Sequence, residues 1–167
     1  MVRLNLASLV HAKVGQRQTV VLDSGAVVVG DLHLTHLKGE LQFTRVANGV
    51  LATGTLHTSL RAECTRCLEP FLEPVTIDLE DVISLPGTEL TAEYPVRISE
   101  DGSVDLAPLI HDYVWLDVPM NALCSPDCKG ICPECGGNLN RGECTCGSAA
   151  EIDPRWDALR DLLDGSA

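Results

Sequence analysis

Eight cysteines constrain this chain more than anything else in it. Six fall within 23 residues, at Cys124, Cys128, Cys132, Cys135, Cys144 and Cys146, and Cys64 and Cys67 form a separate C-x-x-C upstream. In Cys132-Pro133-Glu134-Cys135-Gly136-Gly137, two thiolates stand three residues apart with glycine following, which is the form of a zinc knuckle. The turn carries both sulfurs to one tetrahedral centre, and glycine permits the positive φ that aims backbone N–H groups at sulfur.

The knuckle needs two more ligands. Cys144-x-Cys146 lies beyond residues 136–143, a stretch rich in Gly and Asn with the length of a tight hairpin. One ribbon-like site from Cys132, Cys135, Cys144 and Cys146 follows, and it leaves Cys64, Cys67, Cys124 and Cys128 as a second set bridging the two halves of the chain. A competing grouping joins Cys124 and Cys128 to Cys132 and Cys135, and spacing leaves both open. One or two structural zinc ions per chain are expected. Cys64 and Cys67 could instead be a redox dithiol, but Pro70 and Pro74 follow them, which places the pair at a turn between strands. Reactive dithiols gain their low pKa at a helix N-terminus.

Nothing else in the chain reads as catalytic. A closed four-thiolate site has no open position for water or substrate. His11, His33, His36, His57 and His111 are scattered without ligand spacing, and no nucleophile elbow, phosphate-binding glycine loop or H-E-x-x-H is present. Neither an enzyme nor a small-molecule substrate is expected. No run of 18 apolar residues occurs, so no membrane partner is expected either. The N-terminal Met1-Val2-Arg3-Leu4-Asn5-Leu6 is not followed by a continuous apolar region. That predicts a cytoplasmic address, where metal thiolates persist and disulfides are disfavoured.

Charge is uneven. The net value is −12, yet residues 1–66 carry seven Lys and Arg against four Asp and Glu, and residues 67–167 carry five against twenty. Each filled four-thiolate site would add about −2. Such a chain is poorly suited to nonspecific nucleic-acid binding, which draws on basic groups displacing counterions.

With 45% apolar residues but only 4% aromatics, the core must be aliphatic. Residues 18–84 read as antiparallel sheet. The clearest unit is a hairpin about Asn48-Gly49, with Leu37, Leu41 and Phe43 on odd positions before it and Val50, Ala52, Leu56 and Leu60 on even positions after it. If Asn48 and Gly49 are the turn residues, Phe43 faces Gly54 and Leu41 faces Leu56. Further strands are expected at Thr19–Leu22, Ala26–Leu32 and Val75–Glu80, while residues 4–10 fit either a strand or a short helix. Residues 86–104 read as a loop. A helix capped by Asp105 should run over about 105–117, burying Leu106, Leu109, Ile110 and Tyr113. A last short helix should start at Asp153-Pro154, with Trp156, Leu159 and Leu163 as its stripe. The expected class is mainly β with short helices (α+β): a small antiparallel barrel or curved sheet over residues 1–120, and a zinc-ribbon-like, cysteine-rich appendage over 121–167.

Three stretches carry a family resemblance. Glu63-Cys64-Thr65-Arg66-Cys67-Leu68-Glu69-Pro70 resembles the C-x-R-C-L signature of the YceD-like family, named for accumulation of the large ribosomal RNA subunit. So do Asp105-Leu106 with Pro108, Ile110 and Pro119, and Leu123–Gly136 with its Cys-Pro-Glu-Cys-Gly. Ile152-Asp153-Pro154-Arg155-Trp156 resembles the C-terminus of longer members. The resemblance implies a role in synthesis, processing or stability of large-subunit ribosomal RNA, and supplies no catalytic residue. If RNA is touched directly, the basic N-terminal side should do it, through Arg61, Arg66, Arg45 and Lys38, with Arg3, Lys13 and Arg17 on the same side. The acidic C-terminal part would then face a basic, ribosomal protein. The alternatives are an adaptor that binds such a protein without touching RNA, and a thiol-redox or zinc-responsive switch.

Overall fold

A computed structural model describes residues 2–88, 95–142, 144 and 146. Alternating apolar residues dictate the centre of the fold. β4 (Leu32–Val46), β5 (Gly49–Glu63) and β6 (Pro70–Ser84) run antiparallel, with β2 (Arg17–Ser24) on the far side of β4 and the short β3 (Val27–Val29) pairing with the start of β4. The sheet order is β2-β4-β5-β6, and among the described residues β2 does not pair with β6. Of the two expected forms, this is the open curved sheet.

One face of the sheet is core. Leu37, Leu41 and Phe43 of β4, Val50, Ala52 and Leu56 of β5, and Ile77 and Ile83 of β6 are fully buried. The core positions of β4 change parity, from Leu32 and Leu34 to Leu37 and Leu41, across a bulge between Leu34 and Leu37. The extra residue lets both halves of one strand keep their leucines on the same face. Thr58, buried opposite the bulge, donates its hydroxyl to the His36 carbonyl and is thereby satisfied.

The hairpin differs from the expected one by one residue. Val46 pairs with Gly49 and Arg45 with Val50, so the turn is Ala47-Asn48, Phe43 faces Ala52 and Leu41 faces Gly54. The opposing residue has moved by two, which leaves every side chain on its face. The glycine is taken by the sheet rather than by the turn. A Cβ on Gly49 would lie 2.5 Å from the Ile83 carbonyl of β6, so only glycine allows that approach.

Residues 4–10 contain both candidates: β1 (Arg3–Asn5) is followed by α1 (Ala7–Val10). β1 pairs with β7 (Ser103–Asp105), so the expected loop over 86–104 ends in a strand. Val96 and Ile98 within it are buried and bond through their backbones to Ser84 at the end of β6. α2 (Ala107–Asp117) lays Leu109, Ile110 and Val114 on the core. Its N-cap is Leu106, not Asp105. Asp105 stands one residue earlier, where its Oδ1 accepts the N–H groups of Ala107 at 3.0 Å and Val2 at 3.1 Å, so one carboxylate ties the helix start to β1. The helix expected from Asp153 lies outside the described residues.

Candidate metal centres

Two chain segments take the same local form. In the β5–β6 connection, Leu68 N–H donates to the Cys64 carbonyl at 2.9 Å, and Cys64 N–H donates to the Glu69 carbonyl at 3.0 Å. In the tail, Gly136 N–H donates to the Cys132 carbonyl at 2.9 Å, and Cys132 N–H donates to the Gly137 carbonyl at 2.8 Å. Both are knuckles with identical offsets. The fifth residue is left-handed in each, Gly136 at φ 69° and Leu68 at φ 59°, and Leu68 is the one non-glycine with positive φ among the described residues. Glycine reveals the tail knuckle in the sequence. A leucine in that conformation gives no such signal, so the equivalence of the two turns is a structural finding.

The knuckles seed separate clusters. The sulfurs of Cys64, Cys67, Cys124 and Cys128 all lie within 4.8 Å of one another, as do those of Cys132, Cys135, Cys144 and Cys146. The competing set of Cys124, Cys128, Cys132 and Cys135 is not brought together. Sγ–Sγ distances are 3.7 Å for Cys64–Cys128, 3.6 Å for Cys67–Cys124 and 3.7 Å for Cys135–Cys144. Four sulfurs at 2.3 Å from a tetrahedral ion would be about 3.8 Å apart, whereas a disulfide would bring a pair to about 2.05 Å. The eight thiols are free, and each cluster has the dimensions to hold a metal ion.

The thiols within each cluster compete for protons. Cys64 falls to about 6, chiefly because the Cys124 backbone N–H points at its sulfur. Cys124 is pushed up to about 12 by Cys67, by burial and by Cys128. In the second cluster Cys132 falls to about 7, through the backbone N–H groups of Cys135 and Glu134, while Cys144 is pushed up to about 12, first by Cys132. Four adjacent thiolates without a cation repel one another, so some must keep their protons. A divalent cation would replace those protons, as thiolate sites require.

The inner cluster, on the sheet, is largely enclosed: Cys64, Cys67 and Cys128 are buried against Phe71 and Leu123, and Cys124 is exposed. In the outer cluster only Cys132 is buried. Side chains outside both sets hold them together. Asn140 Nδ2 donates to Cys128 Sγ at 3.3 Å, Arg66 donates to the Cys128 carbonyl at 3.0 Å, and Glu69 pairs with Arg141 at 2.8 Å. As a sequence, Asn138 and Asn140 signal only a turn.

The basic residues expected to touch RNA are dispersed. Lys38 pairs with Asp23 across β2 and β4. Arg45 shares the core parity of Phe43, and its guanidinium turns back onto the carbonyls of Val46 and Gly49. Arg66 holds the inner cluster. Arg61 is exposed on β5, and its guanidinium has no hydrogen-bond or ion-pair partner among the described residues. It lies between a cleft lined by Asp31, Leu32, His33 and Leu60 and another lined by Pro70, Phe71 and Leu72.

A family model described as "Large ribosomal RNA subunit accumulation protein YceD" matches residues 52–163. An uncharacterized protein of Mycobacterium tuberculosis is 34% identical over 154 residues, covering 87% of this chain and 67% of the relative. The chloroplastic large ribosomal RNA subunit accumulation protein YCED homolog 1 of Arabidopsis thaliana is 39% identical over 111 residues, covering 58% of this chain and 33% of the relative. No solved structure matches.

Proposed function

The chain belongs to the YceD family, and from that premise we propose that it is a non-enzymatic ribosome-biogenesis factor supporting synthesis, processing or stability of large-subunit ribosomal RNA. The family match carries this reading. It runs from β5 through the whole cysteine segment, so it includes both candidate metal centres. Each centre takes one zinc ion in a structural role: four thiolates complete a tetrahedron and leave no position for a reacting group. The work is cytoplasmic. No helix among the described residues is long and apolar enough to cross a membrane.

Depleting the protein from growing cells tests the reading. Large-subunit ribosomal RNA should fall relative to small-subunit ribosomal RNA, and an unchanged ratio would overturn it.

A second reading, an adaptor that binds a basic ribosomal protein without contacting RNA, gains from one observation. Lys38, Arg45 and Arg66 each have an intramolecular side-chain partner, in Asp23, the hairpin carbonyls and the Cys128 carbonyl, which leaves Arg61 as the uncommitted member of the four candidate cations. Filter binding of large-subunit ribosomal RNA across a salt series separates the two. Direct contact predicts affinity that falls with salt and drops in Arg61→Glu. The adaptor predicts partners whose co-purification survives RNase.

A further inference from the structure

The hairpin that the outer cluster closes also reaches the inner one. Asn140 lies between Cys135 and Cys144, inside the loop that an outer ion would tie off, yet its amide donates to Cys128 Sγ of the inner cluster at 3.3 Å. The orientation of that amide is determined. Asn140 Oδ1 accepts the Lys129 N–H at 2.8 Å, so Nδ2 is the end that faces sulfur. Asn138 Oδ1 holds the residue from the other side, accepting Asn140 N–H at 2.9 Å and Nδ2 at 3.0 Å. The hairpin in turn hangs from the strip between the clusters. Leu139 N–H donates to the Gly130 carbonyl at 2.9 Å, and Ile131 N–H donates to the Arg66 carbonyl of the sheet knuckle at 3.1 Å.

From this arrangement we propose that the two centres bind metal as a coupled pair, with Asn140 as the positioning residue that couples them. It rests on the reading of both clusters as metal sites. Four thiolates around one divalent cation carry excess negative charge, and an N–H aimed at sulfur offsets part of it. An ion in the outer cluster fixes the loop that presents Asn140, so the inner centre gains its donor only when the outer one is closed. Linkage makes the effect reciprocal. An ion at Cys128 fixes Lys129 and Gly130, from which the outer hairpin is suspended.

Cobalt(II) titration of the full chain tests this, with thiolate-to-cobalt absorption as the readout and a competing chelator to give stepwise constants. Cys144→Ser/Cys146→Ser removes the outer centre and should weaken cobalt at the inner one by about 10–100-fold, the usual effect of losing an outer-shell partner. Cys64→Ser/Cys67→Ser should weaken the outer centre by the same factor. Asn140→Asp keeps the acceptor for Lys129 N–H but loses both Nδ2 contacts, to Cys128 Sγ and to Asn138 Oδ1, and sets a negative charge beside sulfur, so it should weaken the inner centre by at least the same factor. Combined with Cys144→Ser/Cys146→Ser it should add little further. Two cobalt ions binding independently, or losses that add in full, would overturn the coupling and leave the metal sites standing. No cobalt uptake by the unaltered chain would overturn both.

Discussion

The sheet and the cysteine segment reach order by different physical means. The sheet buries Leu37, Leu41, Phe43, Leu56, Ile77 and Ile83 completely, and α1 and α2 close its core face with Leu9, Leu109, Ile110 and Val114. The described part of residues 119–146 buries little beyond Ala122, Cys128 and Cys132, while Met120 stands 97% exposed. A segment so poor in apolar burial cannot offset the conformational entropy of ordering it. In the proposed reading its thiols, gathered around a cation, serve as its core. The two regions meet at Cys64 and Cys67, which the sheet presents at the end of β5.

The sharpest way to break this contrast is to remove metal. A strong chelator should release up to two zinc ions per chain and make the segment after residue 119 rapidly cleavable by protease. Sheet circular dichroism should persist, because the strand register does not depend on the thiols. Phe43→Ala is the opposite lesion. It should cost the sheet about 3–5 kcal/mol in denaturant unfolding. Loss of the sheet on chelation would show that the regions are one cooperative unit.

How far the sequence discloses each region follows the same division. Strand faces were legible because a half-buried strand must alternate, and Phe43 and Leu56 could be placed inward without knowing their partners. The turn was misplaced by one residue because Gly49 answers to the carbonyl of Ile83, a contact 34 positions away in the chain. Residues 4–10 were ambiguous because three strand residues and four helical ones are each too short to show a period. Cysteine spacing suggested two groupings, and only three-dimensional closure brings Cys64 and Cys67 to Cys124 and Cys128. Arg45 shows the limit of reading charge as surface: its position has the parity of Phe43, and its guanidinium serves the hairpin carbonyls. Asn140 was hidden because turn chemistry fully accounts for an asparagine in that loop.

The two knuckles allow a finer test. Left-handed backbone costs a non-glycine residue about 1–2 kcal/mol. Leu68→Gly should relieve that cost, less about 0.4–1 kcal/mol for the freedom glycine adds to the unfolded chain. A stability equal to or slightly above that of the unaltered protein is expected, with metal stoichiometry unchanged. Gly136→Ala should move the other way, losing about 1–2 kcal/mol to backbone strain less the same roughly 0.4–1 kcal/mol of unfolded-chain entropy, since a Cβ there meets nothing within 4 Å. Denaturant midpoints of the metal-loaded proteins measure both. A large loss in Leu68→Gly would mean that the leucine side chain, 55% exposed, packs against something that matters to the fold.

The smallest effect separates the regions by pH. Thiolate centres weaken on acidification, because protons compete with metal for sulfur. The sheet side has a contact of opposite sign. His111 on α2 lies 3.1 Å from Asp112 and 2.8 Å from Asp31 in the β3–β4 turn. Asp112 first, and Asp31 second, raise its pKa above 6.5 against the effect of burial. A raised pKa means that the folded protein holds the proton more tightly than the unfolded chain. The stabilisation is therefore complete below 6.5 and disappears as pH rises through the folded value. His111→Gln should lower the thermal midpoint relative to the unaltered protein at about pH 6 and by less at about pH 9, with both samples metal-loaded. An equal difference at the two pH values would mean that His111 joins α2 to the turn by shape and neutral hydrogen bonds alone.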